Sequence, residues 1–208
     1  MKKYKMTLIL TVCAIAMHVP SMAQSVKKLT PVVEMGAGLS IENKSGYGET
    51  VYGLATMISV GLDIRVDEKW SIMPSVGHNT MFGDAIQLFS GAIGSDFDVF
   101  DFFNAAILGR LHSDGGITIG FGPVAFLRAH HSTYYIDWDP DDPRNGLEKI
   151  KPWDLGLRAT FDKELSRHWT LGAQFNAGLR NMMIQYPSAG ISGTMHLFSL
   201  TFTAGYRF

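Results

Sequence analysis

Cysteine is almost absent from this 208-residue chain: the only one is Cys13. It lies in a segment with the features of an export signal, in which lysines within residues 2–5 precede an apolar run over residues 6–19. Small residues at 21–23 then supply the spacing that a signal peptidase reads, so we predict a signal peptide over residues 1–23. The run is shorter than the roughly 20 apolar residues of a membrane-spanning helix. The exported chain would therefore have no disulfide, no thiol nucleophile and no thiolate metal site.

Charge is also scarce, at 18% of residues against about 25% in an average soluble domain. Without the three lysines of residues 1–23, the 18 basic residues become 15 against 19 acidic ones, a net charge of about −4. That balance argues against nucleic acid as a partner. The remaining length suits a single domain, which we divide into a short periplasmic tail over residues 24–31 and a barrel over residues 32–208.

Regular alternation of apolar and polar residues is what the sequence has in abundance. Over residues 196–208, Phe202 and Tyr206 belong to an apolar set, while Thr201 and Thr203 belong to a small, polar set. Because successive side chains of a strand point to opposite faces, this stretch predicts a strand with one apolar and one polar face. Similar alternation predicts eight strands, at 32–41, 52–66, 69–80, 101–112, 116–128, 153–164, 168–180 and 196–208. Short turns between them alternate with longer segments near 42–51, 81–100, 129–152 and 181–195, as in an up-and-down barrel.

The residue types on the two faces indicate which face meets water. A soluble barrel would carry Lys and Glu on an outer polar face, whereas here every lysine after residue 23 falls in a predicted tail, turn, loop or strand end. The polar faces carry mainly Gly, Ser, Thr, Asn and Gln, which suit a narrow lumen. Aromatic residues near both strand ends are typical of interfacial girdles. We therefore predict an all-β protein, an eight-stranded antiparallel up-and-down transmembrane β-barrel.

Charged residues on the polar faces are the main candidate site. Buried charges are costly unless paired, so we expect ladders of arginine and carboxylate that fill the lumen. A selective solute path lined by arginines is the alternative. The predicted network consists of Glu34, Asp63, Arg65, Arg110, Arg158, Asp162, Arg180 and Arg207.

An acidic segment is the main candidate metal site. Asp137, Asp139 and Asp141 recur at every second position, as at the start of a calcium loop, but Asp142 replaces the turn glycine. A hydrated surface loop with at most a weak calcium site is the favoured interpretation, and no cofactor is predicted. No nucleophile elbow, phosphate loop or zinc motif appears, so we do not expect an enzyme.

Three features together resemble a known group of proteins: the signal peptide with Ala-Gln at its end, the eight alternating strands, and the terminal Tyr206-Arg207-Phe208. The chain is similar to small outer-membrane β-barrels of Bacteroidetes-type bacteria, a group that includes PorT-like and OmpA-like barrel domains. The resemblance implies that Tyr206 and Phe208 form the signal read by the barrel-assembly machinery.

The resemblance indicates location and fold, and leaves several functions open. One is a structural or interaction module, such as an accessory subunit of an envelope complex, with lipid around it and a protein partner at loops 81–100 and 129–152. Permeation of a small solute or hydrophobic compound is the alternative from another class. A lipid-modifying enzyme is the third.

Overall fold

The computed structural model describes residues 28–45, 49–83, 97–134, 151–183 and 193–208. In these ranges no helix has the length and apolar character needed to cross a membrane. Eight strands are present: β1 (Lys28–Ser45), β2 (Glu49–Arg65), β3 (Trp70–Phe82), β4 (Phe97–His112), β5 (Ile117–Tyr134), β6 (Trp153–Glu164), β7 (Trp169–Gly178) and β8 (Thr194–Arg207).

The strands form one closed antiparallel barrel in sequence order. Each strand pairs with the next, and β8 closes the sheet against β1 from Val32↔Arg207 to Ser45↔Thr194. Closure leaves no row of unpaired backbone groups at a sheet edge. The predicted eight-stranded antiparallel barrel is therefore confirmed.

Two ends of the barrel can be distinguished by their connections. At the turn end, β2–β3, β4–β5 and β6–β7 are joined by short turns, and residues 30 and 207 lie at the same end. One carboxylate oxygen of Asp67 accepts hydrogen bonds from the backbone N–H groups of Lys69 and Trp70, both at 2.7 Å. In the β4–β5 turn, Gly116 has φ of 70°, a conformation that favours glycine. The opposite end, which carries the long β3–β4, β5–β6 and β7–β8 connections and the short β1–β2 connection, is called the loop end.

The strands extend further than the sequence predicted. The expected tail over 24–31 is wrong for residues 28–31, because β1 begins at Lys28 and pairs there with Arg65 of β2. The expected long loop near 42–51 is also wrong, since β1 runs to Ser45, β2 begins at Glu49, and Lys44 pairs with Glu49. The strand ends were not predicted because they are rich in polar residues and lack the apolar–polar alternation. The hydrogen-bonded ladder nevertheless continues beyond the apolar part of the wall.

Side chains alternate between the outside and the interior as expected. Phe202 and Leu171 are 69% and 50% exposed on the outer face, whereas Thr201 and Gln174 are 0% and 2% exposed. Large exposed aromatics lie near both ends of the outer wall: Trp70, Trp169 and Phe208 at the turn end, and Tyr52, Phe103 and Trp153 towards the loop end. The outer surface is thus an apolar band between two aromatic rims.

Two prolines lie within strands, although proline in a sheet is usually confined to edges, strand starts or bulges. Pro74 pairs with Ile107 of β4 and Pro123 with Leu157 of β6, in registers that continue unchanged on both sides. The register shift of the barrel lies elsewhere, between Asp101 and Phe102 of β4.

Candidate functional site

An ion-pair layer fills the interior at the turn end. Arg110 lies 2.7 Å from Asp162 and 3.4 Å from Asp63, measured between guanidinium nitrogen and carboxylate oxygen. Arg207 lies 3.0 Å from Asp63 and also pairs with Glu164. These five residues come from β2, β4, β6 and β8, so the layer joins alternate strands across the lumen. Such pairing compensates charges that would otherwise be costly to bury.

Next to the ion-pair layer, a histidine joins three strands. The imidazole of His112 on β4 shares hydrogen bonds with the hydroxyl of Ser71 on β3 at 2.7 Å and that of Thr118 on β5 at 2.9 Å. All three side chains are buried. Both ring nitrogens are therefore satisfied inside the barrel, which fits a structural role for this histidine.

A second layer, which we call the amide belt, crosses the middle of the lumen. Arg158 donates from Nε to the side-chain oxygen of Asn176 at 2.8 Å and from Nη2 to that of Asn104 at 2.9 Å. The chain of hydrogen bonds continues from Asn104 to Asn79 and from Asn176 to Ser199, at 2.7 and 3.0 Å. The belt thus connects β3, β4, β6, β7 and β8 through side chains that are all buried. The guanidinium of Arg158 is held by neutral amide oxygens, where the sequence led us to expect carboxylates.

Glu34 of β1 is another charged residue of the interior. It is 7% exposed, and its carboxylate accepts a hydrogen bond from the hydroxyl of Ser59 on β2 at 3.3 Å. Its carboxylate is not within ion-pair distance of an arginine among the residues that the structure describes.

At the loop end much of the interior is apolar, although Glu42 and Asp154 are also buried there. Phe102 packs edge-on against Phe126, with ring centroids 6.1 Å apart, and Phe100 stacks on the ring of His131 at 4.7 Å. Methionines supply much of the remaining volume, which suits an irregular space because their side chains are flexible. This apolar cluster includes Met81, Phe100, Phe102, Phe126, Met182, Met183, Met195 and Leu197.

Asn181 lies after the end of β7, just before Met182 and Met183, and holds the backbone of two methionines of this cluster. The side-chain oxygen of Asn181 accepts hydrogen bonds from the backbone N–H groups of Met183 at 3.0 Å and Met195 at 2.9 Å. Its amide group donates to the carbonyl of Gly193 at 3.2 Å. Asn181 thereby fixes the segment after β7 against β8, with Met182 fully buried.

A small cavity lies where the amide belt meets the apolar cluster. It has a volume of about 10 Å³ and is lined by Met81, Phe102, Phe126, Asp154, Asn176 and Leu197. This is about the space of one water molecule. A hydrated ion would need a much wider gap at this level of the barrel.

Most of the residues predicted for the lumen network do lie in the interior, but not as one ladder. Asp63, Arg110, Asp162 and Arg207 meet in the ion-pair layer, whereas Glu34 and Arg158 have hydroxyl and amide partners.

Two predicted network members lie elsewhere. Arg65 is at the mouth of the turn end, where it donates to the carbonyl of Glu68 at 3.0 Å. The lumen placement of Arg180 is wrong: its guanidinium carbon lies 3.6 Å from the ring centroid of Trp153, which is exposed on the outer wall. The period-two argument fails at Arg180 because β7 ends at Gly178.

Sequence reasoning missed several interior residues. Glu164 shares the parity of Asp162 and lies within the predicted strand 153–164, so parity alone could have identified it. His112 likewise shares the parity of Arg110. The asparagines of the amide belt were counted only as small polar residues, because no sequence signal shows which amides meet an arginine.

The other residues singled out from the sequence are those of the C-terminal signal and of the weak calcium site. Tyr206 packs against Trp169 and Phe208, with ring centroids 5.1 and 5.0 Å apart, in an aromatic group at the turn end. The weak calcium candidates Asp137, Asp139 and Asp141 lie outside the described residues. Within the described ranges, no three His, Cys, Asp or Glu side chains are grouped to hold a metal ion.

Comparison with known proteins relates the fold to that of outer-membrane barrels. Neisserial surface protein A matches with a TM-score of 0.59 at 11% sequence identity, over 86% of this chain and 97% of that one. Weaker matches include the attachment invasion locus protein Ail of Yersinia pestis (TM-score 0.47, 11% identity, 86% and 98% covered). OprG from Pseudomonas aeruginosa also matches (TM-score 0.45, 14% identity, 89% and 98% covered).

No protein-family model matches the chain, and no match to a curated protein was found. The closed antiparallel barrel and its likeness to Neisserial surface protein A define the class of fold, which is that of the small eight-stranded outer-membrane β-barrels.

Proposed function

We propose that this protein is an integral outer-membrane barrel that anchors its loop-end segments at the cell surface and does not conduct solutes through its lumen. The observation that carries the proposal is the arrangement of the wall. Apolar side chains such as Phe202 and Leu171 are exposed outside, while the inside is filled with paired and hydrogen-bonded groups. If water surrounded the barrel, the apolar band would be exposed to it at a cost in free energy. The hydrocarbon core of a bilayer removes that cost.

The filled interior supports an anchoring role over conduction. The ion-pair layer, the amide belt and the apolar cluster occupy successive levels from the turn end to the loop end. An eight-stranded barrel has an interior just wide enough for side chains. Transport through the axis would require several of these contacts to break together.

Membrane insertion can be tested with a single cysteine at an outward position. Purified Phe202→Cys protein carries no other cysteine if residues 1–23 are removed, so it can be labelled with an environment-sensitive dye and reconstituted into vesicles. We expect quenching by a lipid-attached quencher and little quenching by aqueous iodide. Ser166→Cys, in the exposed β6–β7 turn, is the aqueous control and should show the reverse. Efficient iodide quenching at position 202 would contradict the proposal.

The proposal includes an envelope protein partner that binds the segments 81–100 and 129–152. A detergent-solubilised pull-down with mass spectrometry tests it, with a variant lacking residues 135–150 as the control. A stoichiometric partner that disappears with that deletion supports the interaction.

We propose no enzymatic activity, and an unchanged lipid A mass spectrum on overexpression is the expected result.

We also propose that Tyr206 and Phe208 form the signal read during assembly of the barrel. A relationship to PorT-like barrels is a further part of the proposal. Phe208 is 69% exposed and contacts Tyr206, which packs on Trp169 of the neighbouring strand. We expect Phe208→Ala to slow membrane insertion in cells while leaving the refolded barrel stable. Equal rates of insertion for both proteins would remove this role.

Passage of a hydrophobic compound is a second candidate, because the apolar cluster lies at the loop end of the lumen. A compound that entered there would meet methionine and phenylalanine side chains, and the amide belt would then direct it sideways rather than along the axis. Uptake of an apolar fluorescent probe into vesicles, faster with Met182→Ala than with Met57→Ala, would favour this candidate, since Met57 is a buried methionine of β2 outside the apolar cluster.

A further inference from the structure

Arg180 and Trp153 form an exposed cationic group on the outer wall, unlike the paired cations of the interior. The guanidinium of Arg180 lies over the indole ring at 3.6 Å and donates from Nη1 to the carbonyl of Trp153 at 3.2 Å. Its backbone N–H donates to a carboxylate oxygen of Asp154 at 2.9 Å. Backbone and side chain are both held, so the guanidinium has a fixed place at this rim.

A second cation lies beside this pair. The backbone of Lys151 donates to the carbonyl of Met182 at 2.7 Å, and its ammonium group donates to the carbonyl of Asn181, also at 2.7 Å. Lys151 therefore bridges to the residue that follows Arg180. The chain segments before β6 and after β7 thus meet next to Arg180, where Lys151 bonds the backbone of the two residues that follow it.

Among the described residues the charges of this group are only partly compensated, because Asp154 attracts the guanidinium of Arg180 from beyond ion-pair distance. Among the described residues, neither Lys151 nor Arg180 has a carboxylate within ion-pair distance, whereas Arg110 and Arg207 each have two. The carboxylate of Asp154 is buried and faces the lumen. A fixed arginine on an indole face, with a lysine beside it, is a suitable receptor for a phosphate group.

The height of the group on the wall points to where such a phosphate would come from. Trp153 is exposed on the outer face and begins β6 at the loop end, eleven residues before Glu164 ends that strand at the turn end. At about 3.3 Å per residue and a tilt near 40°, this places Trp153 roughly 25–30 Å above the turn end, at the far boundary of an apolar band about 25 Å tall. Head groups of the loop-end leaflet lie at that level.

We propose that Trp153, Arg180 and Lys151 form a binding site for the phosphate of a phosphorylated lipid in the loop-end leaflet. Arg180 supplies bidentate hydrogen bonds from the edge of its guanidinium not directed at the Trp153 carbonyl, Lys151 supplies a second positive charge, and the indole holds the guanidinium and contacts the upper part of the acyl chains. This site depends on the proposed membrane location.

The chain offers a matched control at the opposite rim. Arg167 lies in the exposed turn before Trp169, which is 53% exposed at the turn end. The ring of Trp169 packs on Tyr206, so this second Arg and Trp share the residue types and the local exposure without the stacked arrangement. Arg167→Gln removes the same charge from the protein as Arg180→Gln.

The test is native mass spectrometry of lipid retained by the purified barrel. The protein is released from vesicles that contain either diphosphoryl lipid A or its enzymatically dephosphorylated form, at equal molar fractions. We expect wild type and Arg167→Gln to retain the phosphorylated lipid, and Arg180→Gln to retain roughly tenfold less. Trp153→Leu should show a smaller loss, and Arg180→Lys a partial one because the charge remains.

The outcomes separate the site from the membrane location. Flotation of each protein with vesicles on a density gradient is measured first, and a wild type that fails to float overturns the proposed function together with the site. A wild type that floats but retains both lipids equally overturns the site alone. Displacement of the lipid by millimolar inorganic phosphate would show a free-phosphate site and overturn the lipid assignment.

Discussion

The two halves of the barrel interior are filled in different ways. At the turn end, Asp63, Arg110 and Arg207 are linked by ion pairs with distances from 3.0 to 3.4 Å. At the loop end, Phe100, Phe102 and their methionine neighbours pack as an apolar core. The amide belt around Arg158 separates the halves and satisfies its donors with neutral oxygens.

This difference shows that the lumen of a small barrel need not be polar throughout. The turn-end half depends on charge compensation, so removal of one charge leaves its buried partners uncompensated. The loop-end half depends on volume, so removal of a large side chain leaves a void. Substitutions in the two halves should therefore differ in size of effect and in what rescues them.

The largest effect is expected for Arg110→Met in the ion-pair layer. Two buried carboxylates, those of Asp63 and Asp162, would lose their shared cation, which costs about 3–5 kcal/mol of unfolding free energy. Urea titration of protein refolded into vesicles measures the change. Adding Asp63→Asn and Asp162→Asn to the same protein should recover most of the loss. A single substitution that costs under about 1 kcal/mol would show that the layer is solvated.

In the apolar half, Phe102→Ala should cost about 3 kcal/mol, because the ring is 1% exposed and its neighbours cannot close the void. Phe103→Ala is the matched control on the same strand, where the side chain points outward and is 51% exposed. Lipid can move into the space that Phe103 leaves, so we expect a loss of about 1–2 kcal/mol. Equal losses in the urea titration would mean that the two faces do not meet different surroundings.

The amide belt provides an intermediate effect. Asn176→Leu removes the acceptor of Arg158 Nε, and we expect a loss of about 2 kcal/mol, as for a charged group deprived of a hydrogen bond. Asn176→Asp keeps an acceptor and adds a compensating charge, so its loss should be smaller. An Asp variant less stable than the Leu variant would indicate that Arg158 is not the dominant partner of residue 176.

The smallest effect is expected outside both halves, in the β4–β5 turn. Gly116 has φ of 70°, so Gly116→Ala should cost about 1 kcal/mol through backbone strain. Gly115→Ala in the same turn does not meet this constraint and should cost less than half as much. A larger loss of stability for Gly115→Ala than for Gly116→Ala would show that Gly116 is not the strained residue of this turn.

The comparison of the halves also explains how far the sequence could predict the fold. Strands β6 and β7, and β8 from Ser199 onward, have polar or glycine interior positions and mainly apolar outer ones, so their alternation was clear. On β4 and β5 the loop-end positions are apolar on both faces, with Phe102 and Phe126 inside and Phe103 and Leu127 outside. The period-two contrast disappears there, and so the apolar cluster was not predicted.

The prediction of the lumen network was also limited by what residue parity can show. Parity identified the interior positions of Asp63, Arg110, Asp162 and Arg207, because it requires only that a strand continue. It could not show that Arg158 meets amides, since that depends on which residues lie at the same height on distant strands. Parity also failed at Arg180, which follows the end of its strand.

Single-channel recording of the purified wild-type protein in planar bilayers tests most directly whether the two halves close the lumen. With insertion established by the quenching of labelled Phe202→Cys, we expect no stable current steps above the baseline leak at neutral pH. Reproducible open-channel steps from the wild-type barrel would contradict the account, because ions could then pass the ion-pair layer, the amide belt and the apolar cluster.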